Sequence, residues 1–375
     1  MIAIQLLKNL KLGFLIAIIT PLLSCANNTF TIDLPKNQFI HYQKNYLIQS
    51  KHFKKALKKD WDTQEVSTNK KWVGYSADLQ QKQVIDFETN SIFLETINKS
   101  EKEARQELPK MLHDLLDKTI TDVVVGDIIE SNLPITQTQT RKNKKVTLLP
   151  LISLEQKQKL QAQLLSTPLS IVQYKDHTIY KAKIKLPKKY IIKKAKRYRK
   201  DVDKYSQKYK IDPSLIYAIM HSESDFNPVA RSFAPAYGLM QIVPKTAGID
   251  AYKFIYKKRR APSVQYLYNP SNNIKLGSAY LHILYYIYFK DIHDEKSRLY
   301  CTIAAYNSGA GNVARSFIKS SNLKRAIPVI NALKPAVVYQ KMLTDLPFLE
   351  TRRYLKKVHD KLSMYDHLLK NELAI

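Results

Sequence analysis

A helix expected within segment 211–241 places a carboxylate on its apolar face, and this feature constrains the fold most. Asp212-Pro213 predicts the helix start, because aspartate caps free backbone N–H groups and proline is tolerated at the first helical position. Glu223 occupies a position where the apolar periodicity requires a core residue, just before the helix must end ahead of Pro228. The apolar stripe of this amphipathic helix is formed by Ile216, Ile219 and Met220.

Burial would raise the pKa of the Glu223 carboxyl, because an apolar environment disfavours its charged form. A carboxylic acid that keeps its proton near neutral pH can serve as a general acid. The alternative is a half-exposed or salt-bridged glutamate at a helix end, since structural ion pairs also perturb carboxylates. Asp225 lies about 200° around a continued helix from Glu223, so we expect a surface or capping residue there and no second catalytic carboxylate.

Short motifs in the second half of the chain point to a known family. They read ESDFNP from Glu223, GLMQ from Gly238, AYNSG from Ala305 and ETRRY from Glu350, in that order. Through them, residues 194–369 resemble the catalytic domain of soluble-lytic-transglycosylase type. The resemblance implies a mainly α-helical, goose-lysozyme-like domain that acts on peptidoglycan.

The resemblance also implies a reaction. Lytic transglycosylases cleave the MurNAc-GlcNAc bond without water: Glu223 would protonate the leaving oxygen and then act as base toward the C6 hydroxyl of the same muramic acid. That hydroxyl closes on C1 and gives a 1,6-anhydro product. An internal nucleophile has a high effective concentration, so no second carboxylate is needed to activate water. A lysozyme-like hydrolase and a catalytically inactive peptidoglycan-binding lipoprotein are the alternatives.

The same resemblance assigns substrate-binding roles to seven further residues. Ser232 would lie near the muramoyl N-acetyl group, Gln241 would offer an amide donor and acceptor for sugar recognition, and Tyr354 would bring a hydroxyl near the acid. Plain core packing is the alternative for the apolar and tyrosine positions. Tyr237 stands where the family commonly has a small residue. The remaining residues, an apolar wall around the acid and two hydrogen-bonding groups, are Leu239, Met240, Tyr306 and Asn307.

The beginning of the chain predicts export. Residues 1–24 are typical of a signal peptide, whose apolar run is too short to span a bilayer comfortably. They end in Leu-Leu-Ser before Cys25, which resembles a bacterial lipobox and implies a lipid anchor on that thiol. Ala26 follows, which by the same resemblance implies the outer membrane, facing the periplasm. An ordinary signal peptide or uncleaved anchor is the alternative. Residues 25–40 predict a polar tether.

Residues 41–190 predict an N-terminal α+β domain. Segment 83–97 is typical of two strands around a turn, segment 101–117 has helical periodicity, and alternation at 180–186 indicates a half-buried strand with lysines outward. KWVGYS and VIDF within this region resemble the amino-terminal domain of the membrane-bound lytic murein transglycosylase C family. We expect this domain to orient the catalytic domain or bind glycan, with a spacer as the alternative.

Residues 191–375 are then the catalytic domain, so the expected fold class is α+β: a mixed α/β domain followed by a mainly α-helical, lysozyme-like one. Within it, we expect helices over 270–288, 299–306 and 350–369. The formal net charge of +29 favours an anionic partner such as the wall, or it reflects solvated lysines. We expect the basic run 188–200 to be a solvated helix face, with contact to anionic peptidoglycan or lipid headgroups as the alternative.

Several partner classes are not expected. No helix-turn-helix, zinc-finger or ribonucleoprotein signature accompanies the basic run, so nucleic acid is not expected. The two cysteines, Cys25 and Cys301, provide no disulfide framework, and the histidines show no paired ligand spacing. Neither a metal nor another cofactor is therefore expected, and Cys301 is expected to be a small core residue.

Overall fold

A computed structural model describes most of the chain. The predicted signal peptide (1–24), the predicted tether (25–40) and Cys25 lie outside the described residues. Across the described ranges, no helix combines the length and apolar character needed to cross a membrane. The described residues are 48–125, 146–150, 152–187, 189–232 and 235–373.

An antiparallel sheet organises the first half of the described chain. The predicted strand pair around a turn is confirmed, and Asn90 in that turn has a left-handed φ of 50°. The alternation along the last strand is also confirmed, because Ala182 and Ile184 are buried while Lys183 and Lys185 are exposed. The strands are β1 (Lys71–Tyr75), β2 (Gln81–Asp86), β3 (Ser91–Asn98), β4 (Ser170–Tyr174) and β5 (His177–Lys185), in the order β1-β2-β3-β5-β4.

The first half also contains helices, some of which pack on this sheet. A helical segment covers residues 48–57, and it is followed by α1 (Glu101–Asp117), α2 (Ile120–Val125) and α3 (Leu154–Ser166). Helix α1 begins where the Ser100 side chain accepts a hydrogen bond from the Glu103 N–H, as expected for an N-cap serine. Its predicted periodicity is confirmed, since one face is buried through Ala104, Leu108, Met111, Leu112, Leu115 and Leu116.

The second half is mainly α-helical, which confirms the predicted fold class of a mixed α/β region followed by a helical domain. Its helices are α4 (Tyr190–Arg197), α5 (Arg199–Tyr209), α6 (Pro213–Ser224), α7 (Ile249–Tyr256), α8 (Val264–Tyr268), α9 (Pro270–His282), α10 (Glu295–Ser308), α11 (Ala310–Ile318), α12 (Leu323–Asn331), α13 (Pro335–Asp345) and α14 (Leu349–Asn371). π-Helical turns cover Pro244–Gly248 and Ile283–Tyr288. The three helices expected from periodicity correspond to α9 with its π-helical extension, α10 and α14.

Helix α6 lies at the centre of the second half, and one expectation about it is wrong. All residues from 214 to 220 are buried, so the helix is enclosed on every side and is not amphipathic. The reason is that α5, α9 and α14 all pack against it. The polar Ser214 is tolerated there because its hydroxyl donates to Asp366.

Helix α4 departs from the expected solvated basic face at one lysine. Lys194 is only 1% exposed, and its Nζ donates to the Phe87 carbonyl of the sheet-bearing half at 2.7 Å. Burial lowers the pKa of the Lys194 ammonium to about 8. The long apolar stem and the buried carbonyl acceptor explain how a lysine is accommodated where the two halves meet. Lys196 and Lys200 are exposed, as expected.

Candidate active site

Helix α6 ends in a sharp turn directly after Glu223. Its start agrees with the sequence prediction, because the Asp212 carboxylate accepts from the Ser214 N–H at 2.7 Å and Pro213 is the first helical residue. At the other end, Asp225 and Phe226 adopt consecutive left-handed conformations, with φ of 50° and 66°. Such conformations cost free energy in residues other than glycine and persist only where the surroundings enforce them.

The Glu223 carboxyl is in an environment that favours its protonated form. Burial raises its pKa to about 7, although the Tyr354 hydroxyl and the ammonium groups of Lys70 and Lys357 lower it. The charge of Glu350 raises it further. Glu223 as a whole residue is still partly exposed. A carboxyl with this pKa can give up and regain a proton at neutral pH, as acid–base catalysis requires.

The GLMQ turn is held in place by a buried asparagine of α9. Gly238 has a φ of +74°, and a Cβ there would lie 2.5 Å from the Leu267 carbonyl oxygen, so glycine is required. Asn273 is fully buried; its Nδ2 donates to the carbonyls of Tyr237 and Leu267, both at 2.8 Å. Its Oδ1 accepts from the Met240 N–H at 2.8 Å. Sequence reasoning missed Asn273.

Leu239 and Met240, the two predicted apolar wall residues, are both fully buried. The Leu239 carbonyl accepts from the hydroxyl of Ser224, the neighbour of Glu223, at 2.7 Å. Met240 packs against Gly277 so closely that a Cβ on that glycine would lie 2.3 Å from its sulfur. These contacts attach the GLMQ turn to the end of α6 on one side and to α9 on the other.

Gln241 uses its amide differently from the expectation. Its Nε2 donates to the carbonyls of Ala230 and Gly238, at 3.2 and 3.1 Å, so both amide hydrogens brace the loop. Its Oε1 is buried and has no hydrogen-bond partner among the described residues. The side chain therefore offers an acceptor to a ligand, and not the donor–acceptor pair that we expected.

The two predicted tyrosines both lie beside Glu223. Burial raises the pKa of each hydroxyl well above its usual value, and the Glu223 charge adds to this effect. The Tyr306 hydroxyl donates to the Met240 carbonyl at 2.9 Å. The buried Tyr354 hydroxyl faces the carboxyl but, within the described chain, completes no hydrogen bond of ordinary geometry. Both groups stay protonated at neutral pH, and only the hydrogen of Tyr306 is committed to a protein acceptor.

Asn307 and Ser232 lie at the margins of this cluster. The Asn307 Oδ1 accepts from the hydroxyl of the buried Thr351 at 2.7 Å, which leaves its Nδ2 group as a donor. Ser232 is half-buried and lines a groove of about 910 Å³. The opposite wall of that groove comes from the sheet-bearing half, including Thr68 and Asn69. Ser232 is the predicted site residue that lines this groove, and Asn69 of the same groove donates to the Glu223 backbone carbonyl.

We expected a surface or a capping residue at Asp225. It is the C-cap residue of α6, as the second expectation states, but it is not on the surface. It is 5% exposed, forms an ion pair with Lys70 and accepts a hydrogen bond from His221 at 3.1 Å. Burial alone would raise the pKa of Asp225, but the His221 hydrogen bond and the Lys70 charge outweigh burial and lower it to about 2. Asp225 is therefore an ionised structural carboxylate and not a second acid.

Among the residues that the structure describes, no group of three or more His, Cys, Asp and Glu side chains could hold a metal ion. Cys301 is fully buried in α10, as expected for a small core residue.

Comparison with known proteins identifies the family. The model of the Transglycosylase SLT domain matches residues 200–327. The chain is 35% identical to "Membrane-bound lytic murein transglycosylase C" of Cronobacter sakazakii over 363 residues, 95% of this chain and 99% of that protein. The Photorhabdus laumondii protein of the same name is 46% identical over 191 residues, which are 51% of this chain and 53% of that protein.

Among solved structures, the lytic transglycosylase Slt of Pseudomonas aeruginosa, an inactive mutant, matches 46% of this chain and 24% of its own. Its sequence identity to this chain is 28% and the TM-score is 0.36. The near-complete alignment with the Cronobacter protein, together with the SLT-domain match, establishes the relationship. The chain belongs to the membrane-bound lytic murein transglycosylase C family.

Proposed function

We propose that this protein is a peptidoglycan lytic transglycosylase that cleaves the MurNAc-GlcNAc β-1,4 bond without water. It leaves 1,6-anhydro-MurNAc ends and acts in cell-wall turnover and remodelling. The observation that carries the proposal is the Glu223 carboxyl, whose pKa is raised to about 7 by burial in a cleft next to the GLMQ turn and two protonated tyrosines. The family relationship supports the same reaction.

Glu223 serves as acid and then as base in this scheme. It first donates its proton to the leaving glycosidic oxygen, while positive charge develops on C1 of the muramic acid. The resulting carboxylate then takes the proton of the C6 hydroxyl as that oxygen bonds to C1, so the proton balance closes. The Tyr354 hydroxyl faces the carboxyl and stabilises its charged form, which matters in the interval between the two steps.

The remaining predicted residues are proposed to bind the glycan. The free Gln241 Oε1 suits a sugar hydroxyl or N-acetyl N–H donor, and the Asn307 Nδ2 suits an acceptor. Ser232, on the adjoining groove, is proposed to contact the muramoyl N-acetyl group. Leu239 and Met240 keep the acid in apolar surroundings. The Tyr306 hydroxyl holds the Met240 carbonyl in place, so Tyr306 is proposed to act on the glycan site indirectly, through the GLMQ turn.

The proposed localisation is the outer membrane, on its periplasmic face. Residues 1–24 would be removed as a signal peptide, Cys25 would carry lipid, and residues 25–40 would tether the domains 41–190 and 191–375. The relatives are named membrane-bound, and a net charge of +29 suits a polyanionic wall. Loss of membrane fractionation in a Cys25→Ala variant would support the anchor; unchanged fractionation would contradict it.

The products of sacculus digestion test the reaction. We expect soluble muropeptides lighter by one water than hydrolytic products, detected by mass spectrometry, and none from Glu223→Gln. Products with free reducing ends would instead identify a lysozyme-like hydrolase. Equal fragment release by wild type and Glu223→Gln would show that Glu223 is not the acid, and no release by the wild type would favour a binding lipoprotein.

A further inference from the structure

The catalytic acid lies in a helical turn that cannot satisfy its own backbone. The last carbonyls of any α-helix have no intrahelical N–H partners, and a turn without such partners frays. In α6 the Asp225 N–H caps the His221 carbonyl at 3.2 Å, which leaves the carbonyls of Ser222, Glu223 and Ser224. Each of these three needs a donor from elsewhere.

Donors from three separate parts of the chain reach these carbonyls. The Ser222 carbonyl accepts from the Lys357 side chain of α14 at 3.3 Å. The Ser224 carbonyl accepts from the Asn227 N–H at 3.0 Å. The Glu223 carbonyl accepts from the Nδ2 of Asn69 at 2.9 Å. Asn69 belongs to the loop just before β1, in the sheet-bearing half, 154 positions earlier in the chain.

Lys70, the next residue of that loop, holds the same helix end. Its Nζ donates to the His221 carbonyl at 3.2 Å and forms an ion pair with Asp225, the left-handed C-cap residue. A cation at a helix C-terminus also interacts favourably with the helix dipole. In return, the buried Asn227 donates from its side chain to the Asn69 carbonyl at 3.3 Å. The loop and the helix end therefore brace each other.

We propose that the Asn69–Lys70 loop of the sheet-bearing half is a positioning element of the active site, which caps the last turn of α6 and so holds the Glu223 carboxyl in its reactive geometry. The inference rests on the function proposed above and extends it, because it gives the N-terminal region a direct task in catalysis. A displacement of about 1 Å can cost about 100-fold in rate, so loss of these caps would be felt in kcat.

Lys70 also provides a signature that a purely structural residue would lack. Its charge favours the ionised form of Glu223, so removing it raises the pKa of that carboxyl. Because the reaction begins with a protonated Glu223, the alkaline limb of the rate profile then moves to higher pH. The groups that act on Glu223 are Lys70 from the loop, Tyr306 from α10, and Glu350, Tyr354 and Lys357 from α14.

The experiment compares variants of the full-length protein on purified glycan strands. We expect Asn69→Ala and Lys70→Met to lower kcat about tenfold with little change in KM. Lys70→Met moves the alkaline limb of kcat/KM upward by about half a pH unit, whereas Asn69→Ala leaves it in place. Lys70→Arg restores both kcat and the limb. Lys185→Met, the same charge change on an exposed strand position, leaves all parameters at wild-type values.

Hydrogen exchange separates positioning from general destabilisation. In folded Asn69→Ala, amides of the last turn of α6 are expected to exchange about tenfold faster, while those of α9 and α14 are unchanged. If the Lys70→Met variant does not fold, the Lys70→Gln variant, which also lacks the positive charge, tests the shift of the alkaline limb. The proposal would be overturned if the variants had the same kcat, the same position of the alkaline limb and the same amide exchange rates as the wild type.

The outcomes also distinguish this proposal from the proposed function. If the wild type releases anhydro products and Glu223→Gln does not, the function holds, and normal kinetics of the two loop variants would reject the positioning role alone. If the wild type releases no anhydro products, the proposed function itself fails.

Discussion

Replacing Glu223 by glutamine is expected to make the folded state less sensitive to pH while it abolishes activity. The folded-state pKa of Glu223 is raised from an ordinary value of 4.5 to about 7. Below pH 4.5 the carboxyl is protonated in both states, so it adds no penalty. As pH rises towards 7, the unfolded chain ionises while the folded chain keeps its proton, and the contribution to stability is lost progressively.

The magnitude follows from the size of this rise. Each pKa unit corresponds to about 1.4 kcal/mol, so the cost of the buried carboxyl at pH 8 relative to pH 4 is about 3 kcal/mol. The glutamine side chain of the variant would carry no such cost, because an amide does not ionise. The difference in unfolding free energy between Glu223→Gln and wild type should therefore grow by about 3 kcal/mol in favour of the variant from pH 4 to pH 8.

Urea unfolding of both proteins at several pH values measures this difference. Other titrating groups, including Asp225, are present in both proteins and cancel in the comparison. Glu101→Gln, the same exchange at an exposed position, serves as the matched control and should show no such trend. Parallel pH–stability curves for wild type and Glu223→Gln would refute the reasoning, because they would mean that Glu223 is ionised at no cost in the folded protein.

Three further predictions concern the surroundings of the acid. Gly277→Ala should destabilise the protein by about 2 kcal/mol in thermal unfolding, because its Cβ would overlap the Met240 sulfur; Gly311→Ala, whose nearest neighbour is 3.3 Å away, should have a much smaller effect. Tyr354→Phe should lower kcat about tenfold and move the alkaline limb upward, since the hydroxyl stabilises the Glu223 carboxylate; an unchanged limb would contradict this role. Asp225→Asn should cost about 3 kcal/mol at pH 7 by leaving the ammonium group of Lys70, whose side chain is only 15% exposed, without its counter-ion. That loss should shrink as pH falls through about 2, where wild-type Asp225 also becomes protonated, and a pH-independent loss would argue against the ion pair.

Local patterns predicted the secondary structure well. The alternation before Lys185 and the periodicity from Glu101 depend on which side of each element is apolar, and neighbouring residues decide this. Helix caps such as Asp212 are equally local, since the side chain bonds to the backbone two residues later. Glu223 was identified from its neighbours as well, because it is a carboxylate at a position where the apolar periodicity of the helix requires a core residue.

The expectations that failed concern contacts between distant segments. The apolar stripe of α6 predicted a single buried face, but α5, α9 and α14 enclose the whole helix. Lys194 looked solvated because a lysine usually is, and only the Phe87 carbonyl across the domain contact explains its burial. Gln241 was expected to bind sugar with its whole amide, yet two loop carbonyls occupy the donors.

The order of elements, the position of the acid on its helix and the family motifs were determined by the sequence alone, because each depends on residues within a few positions of one another. The tertiary structure decided which groups surround that acid. Asn69 and Lys70 carry no local signal, since nothing within the KWVGYS region requires them, and they acquire a role only when folding brings them to carbonyls more than 150 positions away. These long-range contacts add to the local caps of the last turn of α6, and short-range sequence patterns contain no record of them.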